Sequence, residues 1–374
     1  MTWSEPTPTR SLLMACLALI LMACVPPSHR PSGQPEAAAA SLESATPAEL
    51  QKRAEAGEAE AQYQFGLRLQ AGAAMDQTQK SALHWFQCAA DQGHLKAMCE
   101  VGRALWEGHG CGKDHAQAFS WYRRAADGGL AWGAYRAYFS LYWGDGAPKD
   151  RTTALRYLRQ SSDGEVDAAW AALGDWYAWG KEGKPDFEEA VQWWRKAAEK
   201  GNTYSQRNLG TAYRLGRGIT KDCAQARYWH LLAAESGDAF SQASLADLLL
   251  HGRGGAKDVF SAVEWFRKSA AQGHASGQHG LGFCHETGEG LPRNFELAAH
   301  WYTLAAEQGF RISQDNLARL YRYGYGVPKS PELAVKWYLK AAEQNLGDAM
   351  FNLGGMFHSS DLGIPDFGQA LYWF

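Results

Sequence analysis

Apolar residues recur at helical spacing in short segments that are separated by glycines. Between residues 94 and 107, one side of the predicted helix carries Ala97, Val101, Ala104 and Leu105. Glycines at 108 and 110 follow. A second segment opens at Asp114, and its apolar side carries Ala118, Phe119, Trp121, Tyr122 and Ala125. Asp127-Gly128-Gly129 closes it. The pattern predicts a unit of helix A, a glycine turn, helix B and a glycine stop.

This unit returns every 36 residues with no insertion or deletion. Its clearest marker is an aromatic column formed by Trp85, Trp121, Tyr157, Trp193, Trp229, Trp265, Trp301, Trp337 and Trp373. A fixed period of this size is typical of a solenoid, in which each unit packs mainly on its neighbours. We therefore predict an all-α solenoid of two-helix repeats over residues 54–374, with about eight full repeats and a partial last one. The indoles are expected to be buried between units.

Three further columns have simple physical causes. The first predicts side-chain caps for helix B and holds Thr78, Asp114, Asp150, Asp186, Asp222, Asp258, Asn294, Ser330 and Asp366. An unbroken alanine column, 82 to 370, and a mostly glycine column, 66 to 354 with Tyr138 as a departure, predict close helix contacts. Gly-x-Gly pairs such as Gly108/Gly110 predict turns with positive φ. They do not predict a nucleotide loop, because no strand precedes them.

Composition and charge narrow the function classes. The net charge is −3 and the sequence pI is near 6.5. A nucleic-acid partner would call for a basic face, so none is expected.

The N-terminus reads as an export signal. Arg10 precedes an apolar stretch from Leu12 to Met22, which is too short to span a bilayer. Leu21-Met22-Ala23-Cys24 resembles a bacterial lipobox, which implies a signal peptide at residues 1–23 and lipidation of Cys24. Pro and Ala are frequent after it, so residues 24–53 are predicted to be a tether. Val25, by resemblance to bacterial lipoproteins, favours the outer membrane, with the periplasmic face as the expected location.

The repeated motif resembles a known family. Residues 316–345 hold most of the pattern: Leu317-Ala318, Tyr321, Gly324-Tyr325-Gly326-Val327-Pro328, Ala334, Trp337-Tyr338 and Ala341-Ala342-Glu343-Gln344. This is similar to the Sel-one-like repeat (SLR) family, relatives of tetratricopeptide repeats, over about residues 54–374. The resemblance implies an α/α right-handed superhelix, adaptor or scaffold roles and no enzymatic activity.

Some columns of helix A vary freely between repeats. Positions equivalent to 99, 103 and 106 lie on one helical stripe, which we expect to be exposed and, as in related solenoids, to line the concave side. Large aromatics and arginines are typical anchors of binding patches. The stripe therefore predicts contacts with a protein partner, or alternatively a glycan, through Arg103, Trp106, Tyr135, Phe139, Tyr142, Arg207 and Arg214. Packing of these rings on their own neighbours is the competing interpretation.

Catalytic, metal and cofactor sites are not predicted. His279, Cys284 and His285 do not share one helical face, and the sequence has no metalloprotease, nucleophile-elbow or P-loop motif. Cys88, Cys99, Cys111, Cys223 and Cys284 follow the lipidated cysteine, and a Cys88–Cys99 or a Cys99–Cys111 disulfide is left open.

The chain stops within a helix B, at Trp373-Phe374, which favours truncation over docking of this end on a partner or a second copy. The leading interpretation is a lipid-anchored adaptor that binds proteins in the bacterial cell envelope. Alternatives are a scaffold for polysaccharide secretion or a host-interacting factor. A cell-wall hydrolase with β-lactamase-like activity is the alternative of another class, and the missing Ser-x-x-Lys arrangement argues against it.

Overall fold

A computed structural model describes residues 45–71, 76–180, 183–359 and 366–373. The predicted signal peptide and Cys24 lie outside these ranges. All regular secondary structure of the described residues is helical, which confirms the all-α class. None of these helices combines the length and the apolar character that crossing a bilayer requires.

The described chain divides into two compact units, the residues up to Lys113 and those from Asp114 onward. The first unit holds α1 (Pro47–Glu55), α2 (Ala59–Ala71), α3 (Asp76–Asp91) and α4 (Leu95–Glu107). The second holds α5 (His115–Asp127), α6 (Ala131–Trp143), α7 (Arg151–Asp163), α8 (Asp167–Ala178), α9 (Phe187–Glu199), α10 (Thr203–Leu215), α11 (Cys223–Glu235), α12 (Ala239–Leu250), α13 (Val259–Ala271), α14 (Ala275–Thr287), α15 (Phe295–Glu307), α16 (Arg311–Tyr323), α17 (Pro331–Ala342), α18 (Gly347–His358) and α19 (Phe367–Trp373). From α2 onward the even-numbered helices are A helices and the odd-numbered ones are B helices. Within each unit, helices that follow one another in the chain pack together.

Helix α1 begins inside the predicted tether. Thr46 and Glu49 form a reciprocal capping box, and Pro47 occupies the first helical turn, where a missing N–H has no cost. Leu50 and Ala54 are buried against Ala61. Residues 47–53, which were predicted to belong to the tether, are helical in α1. Pro47 suggested a linker because proline is frequent there, whereas it starts a helix here.

The capping column behaves as predicted along the second unit. The side chain of each residue accepts a hydrogen bond from a backbone N–H in the first turn of helix B, as with Asp114 and Gln117 (2.9 Å) or Asn294 and Leu297 (2.9 Å). The same holds for Asp150, Asp186, Asp222, Asp258, Ser330 and Asp366. Thr78 is the exception, because α3 already begins at Asp76 and residue 78 lies inside it.

The Gly-x-Gly turns are also confirmed, and the two glycines have different roles. Gly216 ends α10 in a left-handed conformation with φ of 71°. Gly218, with φ of 67°, lies against the start of the preceding B helix. A Cβ at that position would come within 2.1 Å of the Phe187 carbonyl oxygen. The first glycine therefore serves the turn, and the second serves contact between successive repeats.

The deepest aromatic column follows the tryptophan column by one residue. Phe86, Tyr122, Tyr302 and Tyr338 are at most 1 % exposed, whereas Trp121, Trp193, Trp265 and Trp301 are only half-buried. Three of these half-buried indoles carry a cation over the ring: Arg124 lies over Trp121 at 4.2 Å, Lys196 over Trp193 at 4.2 Å and Lys268 over Trp265 at 4.0 Å. The expectation that the tryptophan column forms the buried contact between successive repeats is thus wrong for several of its members. The helical face turned to the core is centred one residue later.

The glycine column makes room for this buried aromatic column. A Cβ at Gly174 would approach the Trp194 ring to 2.3 Å, and one at Gly282 would approach the Tyr302 ring to 2.6 Å. Tyr138 takes the glycine position in α6, and the buried residue at the corresponding place in helix B is Leu158 rather than a ring. The large and small side chains have exchanged helices, so the added volume of Tyr138 is offset by the smaller side chain of Leu158.

A ladder of glutamine pairs, each made of one buried and one exposed side chain, connects neighbouring repeats. Gln272 donates to the amide oxygen of Gln242 at 2.9 Å, and Gln242 in turn donates to the Ala234 carbonyl at 3.1 Å. The same amide–amide bond joins Gln92 to Gln62, Gln308 to Gln278 and Gln344 to Gln314. Buried amides that are satisfied in this way fix the register between units.

The last described helix, α19, is unevenly covered. Leu371 and Tyr372 are 79 % and 76 % exposed, whereas Trp373 packs on the core built by α15 to α18. Phe374 lies outside the described residues.

Candidate functional site

The candidate site is the A-helix stripe, formed by the residues equivalent to positions 99, 103 and 106 of each repeat. Its first column is buried in several repeats, since Cys99 and Tyr135 are each 5 % exposed and Ala243 is 4 % exposed, whereas Arg207 is half-buried and Phe351 is exposed. The second and third columns are mostly half-buried. The working part of the stripe is therefore narrower than the sequence suggested.

In the first unit, Arg103 and Trp106 are half-buried. The Arg103 guanidinium pairs with the carboxylates of Glu100 and Glu107 on its own helix, and its side chain is 34 % exposed. These ion pairs hold the arginine along α4.

In the second unit, Tyr135, Phe139 and Tyr142 belong to one aromatic cluster on α6. Tyr135 lies 6.0 Å from the Tyr138 ring and is part of the core, so the prediction of an exposed anchor is wrong for this residue. Phe139 and Tyr142 remain half-exposed, and Tyr142 lies 5.8 Å from the buried Trp176 ring. The neighbouring repeat therefore supports Tyr142 from behind.

Trp143 enlarges this cluster and was missed by the sequence argument. Its ring lies 5.0 Å from Tyr142 and 6.2 Å from Phe139. It falls in the column that closes helix A, outside the stripe as it was defined. We call Phe139, Tyr142 and Trp143 the aromatic patch. Three adjoining, partly exposed rings on one helix offer a large apolar surface that loses little side-chain entropy on binding.

The half-buried carboxylate of Asp175 joins the next two repeats. Asp175 accepts from the Trp194 indole N–H at 3.2 Å and from the Tyr204 hydroxyl at 2.9 Å. Burial and the neighbouring Asp175 charge raise the pKa of Tyr204 well above its ordinary value. Tyr204 is therefore a fixed neutral donor, and this part of the stripe has one defined side-chain arrangement.

Arg207 continues from this braced region. Its guanidinium lies over the Tyr204 ring at 4.8 Å and over Phe240 at 5.8 Å, and it pairs with Asp238 at 3.4 Å. Arg214 is half-buried and close enough to His230 to act on its titration. Burial, with the charges of Arg214 and Arg207, lowers the pKa of His230 to about 3, so this imidazole is neutral at physiological pH.

The residues considered for metal binding or disulfides have other surroundings. His279 contacts the Ser313 hydroxyl at 2.9 Å, and burial lowers its pKa to about 4. Burial raises the pKa of the Cys284 thiol to about 12, which leaves it protonated. Cys88, Cys99, Cys111, Cys223 and Cys284 are all free thiols, so neither candidate disulfide is present. No group of three metal-ligating side chains occurs within the described ranges.

The repeat sequence decides the family. The Sel1 repeat pattern matches nine consecutive segments: 59–94, 95–130, 134–165, 169–202, 203–238, 239–274, 275–310, 312–346 and 347–374. The chain belongs to the Sel1 repeat family. Solenoids of this family are typically non-catalytic scaffolds that bind protein partners. No curated protein matches the chain.

Solved Sel1 structures agree with this assignment. A protective antigen with an SLR fold, present in uropathogenic Escherichia coli strains, is 34% identical with a TM-score of 0.76. That match covers 88% of this chain and 70% of the antigen. A Sel1 repeat protein from Oxalobacter formigenes is 26% identical with a TM-score of 0.57, covering 88% of this chain and 97% of that one. The nine Sel1 segments thus cover the described helices from α2 to α19.

Proposed function

We propose that this Sel1 repeat protein is a lipid-anchored adaptor of the bacterial cell envelope that binds a protein partner through the A-helix stripe of its second unit. The observation that carries the proposal is the aromatic patch, with two arginines two repeats further along the same stripe. Phe139, Tyr142 and Trp143 are partly exposed, and Arg207 and Arg214 follow on α10. Aromatic rings and arginines are the side chains most enriched at the centre of protein interfaces.

The envelope location rests on the sequence. The apolar stretch before Cys24 and the Leu-Met-Ala-Cys motif support export and lipidation. The Escherichia coli relative is described as a protective antigen, which agrees with an exposed protein. Metabolic labelling with an alkyne fatty acid tests this part: the chain should be labelled, and Cys24→Ala should abolish the label. Labelling that persists in Cys24→Ala would overturn the anchor.

The binding test uses substitutions that other repeats already contain. Thr211 stands in the column of Phe139, and Ala178 stands in the column of Tyr142. The double variant Phe139→Thr, Tyr142→Ala therefore replaces two aromatic rings by residue types that the fold accepts at the equivalent positions of other repeats. Phe283→Thr is the matched control, because it makes the same change in the same column of α14.

The assay is quantitative pull-down from the producing cells after chemical cross-linking. A protein that is captured by the wild type and by Phe283→Thr should fall at least tenfold with the double variant. Circular dichroism and the urea unfolding midpoint verify folding. Equal capture by all three proteins would refute the aromatic patch as the binding surface.

A further inference from the structure

The B helices carry a second candidate surface at the junction of α11 and α13. Two shallow cavities of about 450 and 220 Å³ adjoin there and share Ser261 and Trp265 in their linings. Their apolar walls come mainly from Phe260, Trp265 and Leu291 in the larger cavity, and from Tyr228 and Leu231 in the smaller one. We call these five residues the B-helix groove.

The groove exposes large apolar side chains. Phe260 is 74 % exposed and Tyr228 is 52 % exposed. Contiguous exposed apolar surface is unfavourable in water and, in soluble proteins, often marks a binding site. Trp265 and Leu231 are half-buried between them, so the exposed rings rest on a supported apolar floor.

Comparison among the repeats shows that the fold does not require these side chains. The column of Phe260 holds Glu188, Glu296 and Glu332 in other repeats of the second unit. The column of Tyr228 holds Arg156, Gln192, Glu264, His300 and Lys336, with a tyrosine again only at Tyr372. Arginine is the commonest residue in the column of Leu231, at Arg123, Arg159, Arg195 and Arg267. Helix B forms equally well with polar residues at all three places, so the apolar choice is specific to this junction.

Charge at the rim indicates the kind of ligand. The cavities are bordered by Arg227, Arg267 and Lys268, against the single carboxylate of Glu264. Lys268 lies over the Trp265 ring at 4.0 Å, which keeps its charge directly above the groove. An apolar floor with a net positive rim is complementary to an apolar segment that carries acidic side chains.

We propose that the B-helix groove binds an acidic, apolar peptide segment of a protein partner. Two apolar side chains of the segment enter the two cavities, and neighbouring carboxylates face Arg227, Arg267 and Lys268. This surface lies on the B helices, separate from the A-helix stripe, so one chain presents two docking faces. Such an arrangement suits an adaptor that joins two proteins.

The test begins with a display library of random twelve-residue peptides, selected on the full chain. Enriched peptides should combine aromatic or aliphatic residues with Asp or Glu. Synthesised versions should bind the wild type and bind at least tenfold more weakly when their acidic residues are exchanged for lysine. A benzoyl-phenylalanine placed in the peptide should label residues 227–231 or 260–268 of the wild type.

The variant Tyr228→Gln, Leu231→Arg, Phe260→Glu gives the groove the side chains of other repeats and leaves the net charge unchanged. It should keep the wild-type urea midpoint and lose at least tenfold in peptide affinity. Leu297→Gln is the control, because it removes an exposed leucine elsewhere on the B helices and should bind normally. Photolabelling of the wild type does not depend on the variant's folding.

Several results would overturn the proposal. One is enrichment of basic peptides, or of peptides that label the A-helix stripe. Another is unchanged peptide affinity in the folded triple variant. A third is self-association of the wild type that the triple variant abolishes, since the occupant of the groove would then be a second copy of this chain.

Discussion

One buried glutamine, Gln206, lacks the partner that the other paired glutamines have, and this difference allows a stability prediction. Gln206 is 5 % exposed and donates to the Ala198 carbonyl at 3.2 Å, as Gln62, Gln242 and Gln314 do to the carbonyl eight residues earlier. Its amide oxygen, however, has no hydrogen-bond partner. In the intact pairs the donor comes from a glutamine thirty residues later. The corresponding residue is Ser236, whose hydroxyl donates to Leu232 of its own helix at 3.1 Å.

Ser236→Gln should complete the ladder. A buried carbonyl without a partner costs about 1–3 kcal/mol, and a net hydrogen bond contributes about 0.5–1.5 kcal/mol. Ordering a glutamine side chain costs up to about 1.5–2 kcal/mol when it is fully buried, and position 236 is exposed, which reduces that cost. We therefore expect a gain of about 1 kcal/mol in the free energy of unfolding.

A double-mutant cycle assigns the gain to the amide pair. Ser236→Gln should stabilise the wild type and have no effect in a Gln206→Ala background, and Ser236→Ala should change little. Repeat arrays need not unfold in one step, so native-state hydrogen exchange of α10 and α11 is read together with urea unfolding. A gain that persists without Gln206, or no gain at all, would refute this reading of the ladder.

Three further predictions concern packing and pH. Gly174→Ala should lower the free energy of unfolding in urea by about 1–3 kcal/mol, because its Cβ would lie 2.3 Å from the Trp194 ring. Gly355→Ala, whose Cβ would have only one atom within 4 Å, should instead stabilise α18 by about 0.5–1 kcal/mol. Equal effects of the two substitutions would contradict the packing argument. The pKa of His230 falls from 6.5 to about 3 on folding. Its contribution to the free energy of unfolding is therefore complete above pH 6.5 and is lost as the pH falls from 6.5 toward 3, by at most about 1.4 kcal/mol per pH unit. The variant His230→Phe introduces the residue that Phe266 supplies in the same column. Between pH 7 and pH 5, its free energy of unfolding in urea titrations should fall by about 2 kcal/mol less than that of the wild type, and parallel curves would refute this. The hydrogen bond from His94 lowers the pKa of Glu60 from 4.5 to about 2. The stability of the first unit should therefore fall as the pH falls from 4.5 toward 2, and it should fall less in Glu60→Gln. Identical acid unfolding curves for the two proteins would exclude a contribution from this pair.

Local features of the fold were readable from the sequence because each follows from a single residue type at a fixed place. A cap needs an Asp, Asn or Ser before helix B, as at Asp150 and Ser330, and the turn needs glycine for its positive φ. Neither depends on distant parts of the chain. These columns therefore identify the helices, their order and the 36-residue unit without a structure.

Features that depend on packing between helices were predicted less accurately from the sequence. The regular tryptophan column predicted buried indoles, but the core face of helix B is centred on the next residue, as at Tyr302. Tyr135 looked like an exposed ring because its column varies, yet variation also occurs at buried positions whose neighbours compensate. The glutamine ladder had a sequence signal, a repeated thirty-residue offset between Gln242 and Gln272, which column-by-column reading within one unit does not reveal.

The central claim is that the aromatic patch on α6 holds a protein partner. It is tested most directly by placing a photoreactive benzoyl-phenylalanine at position 139 in the producing cells, with position 296, an exposed site on helix α15, as the reference. Irradiation should give one discrete protein adduct at position 139 that Tyr142→Ala weakens, and none at 296. No adduct at position 139, or the same adducts at both positions, would contradict the account.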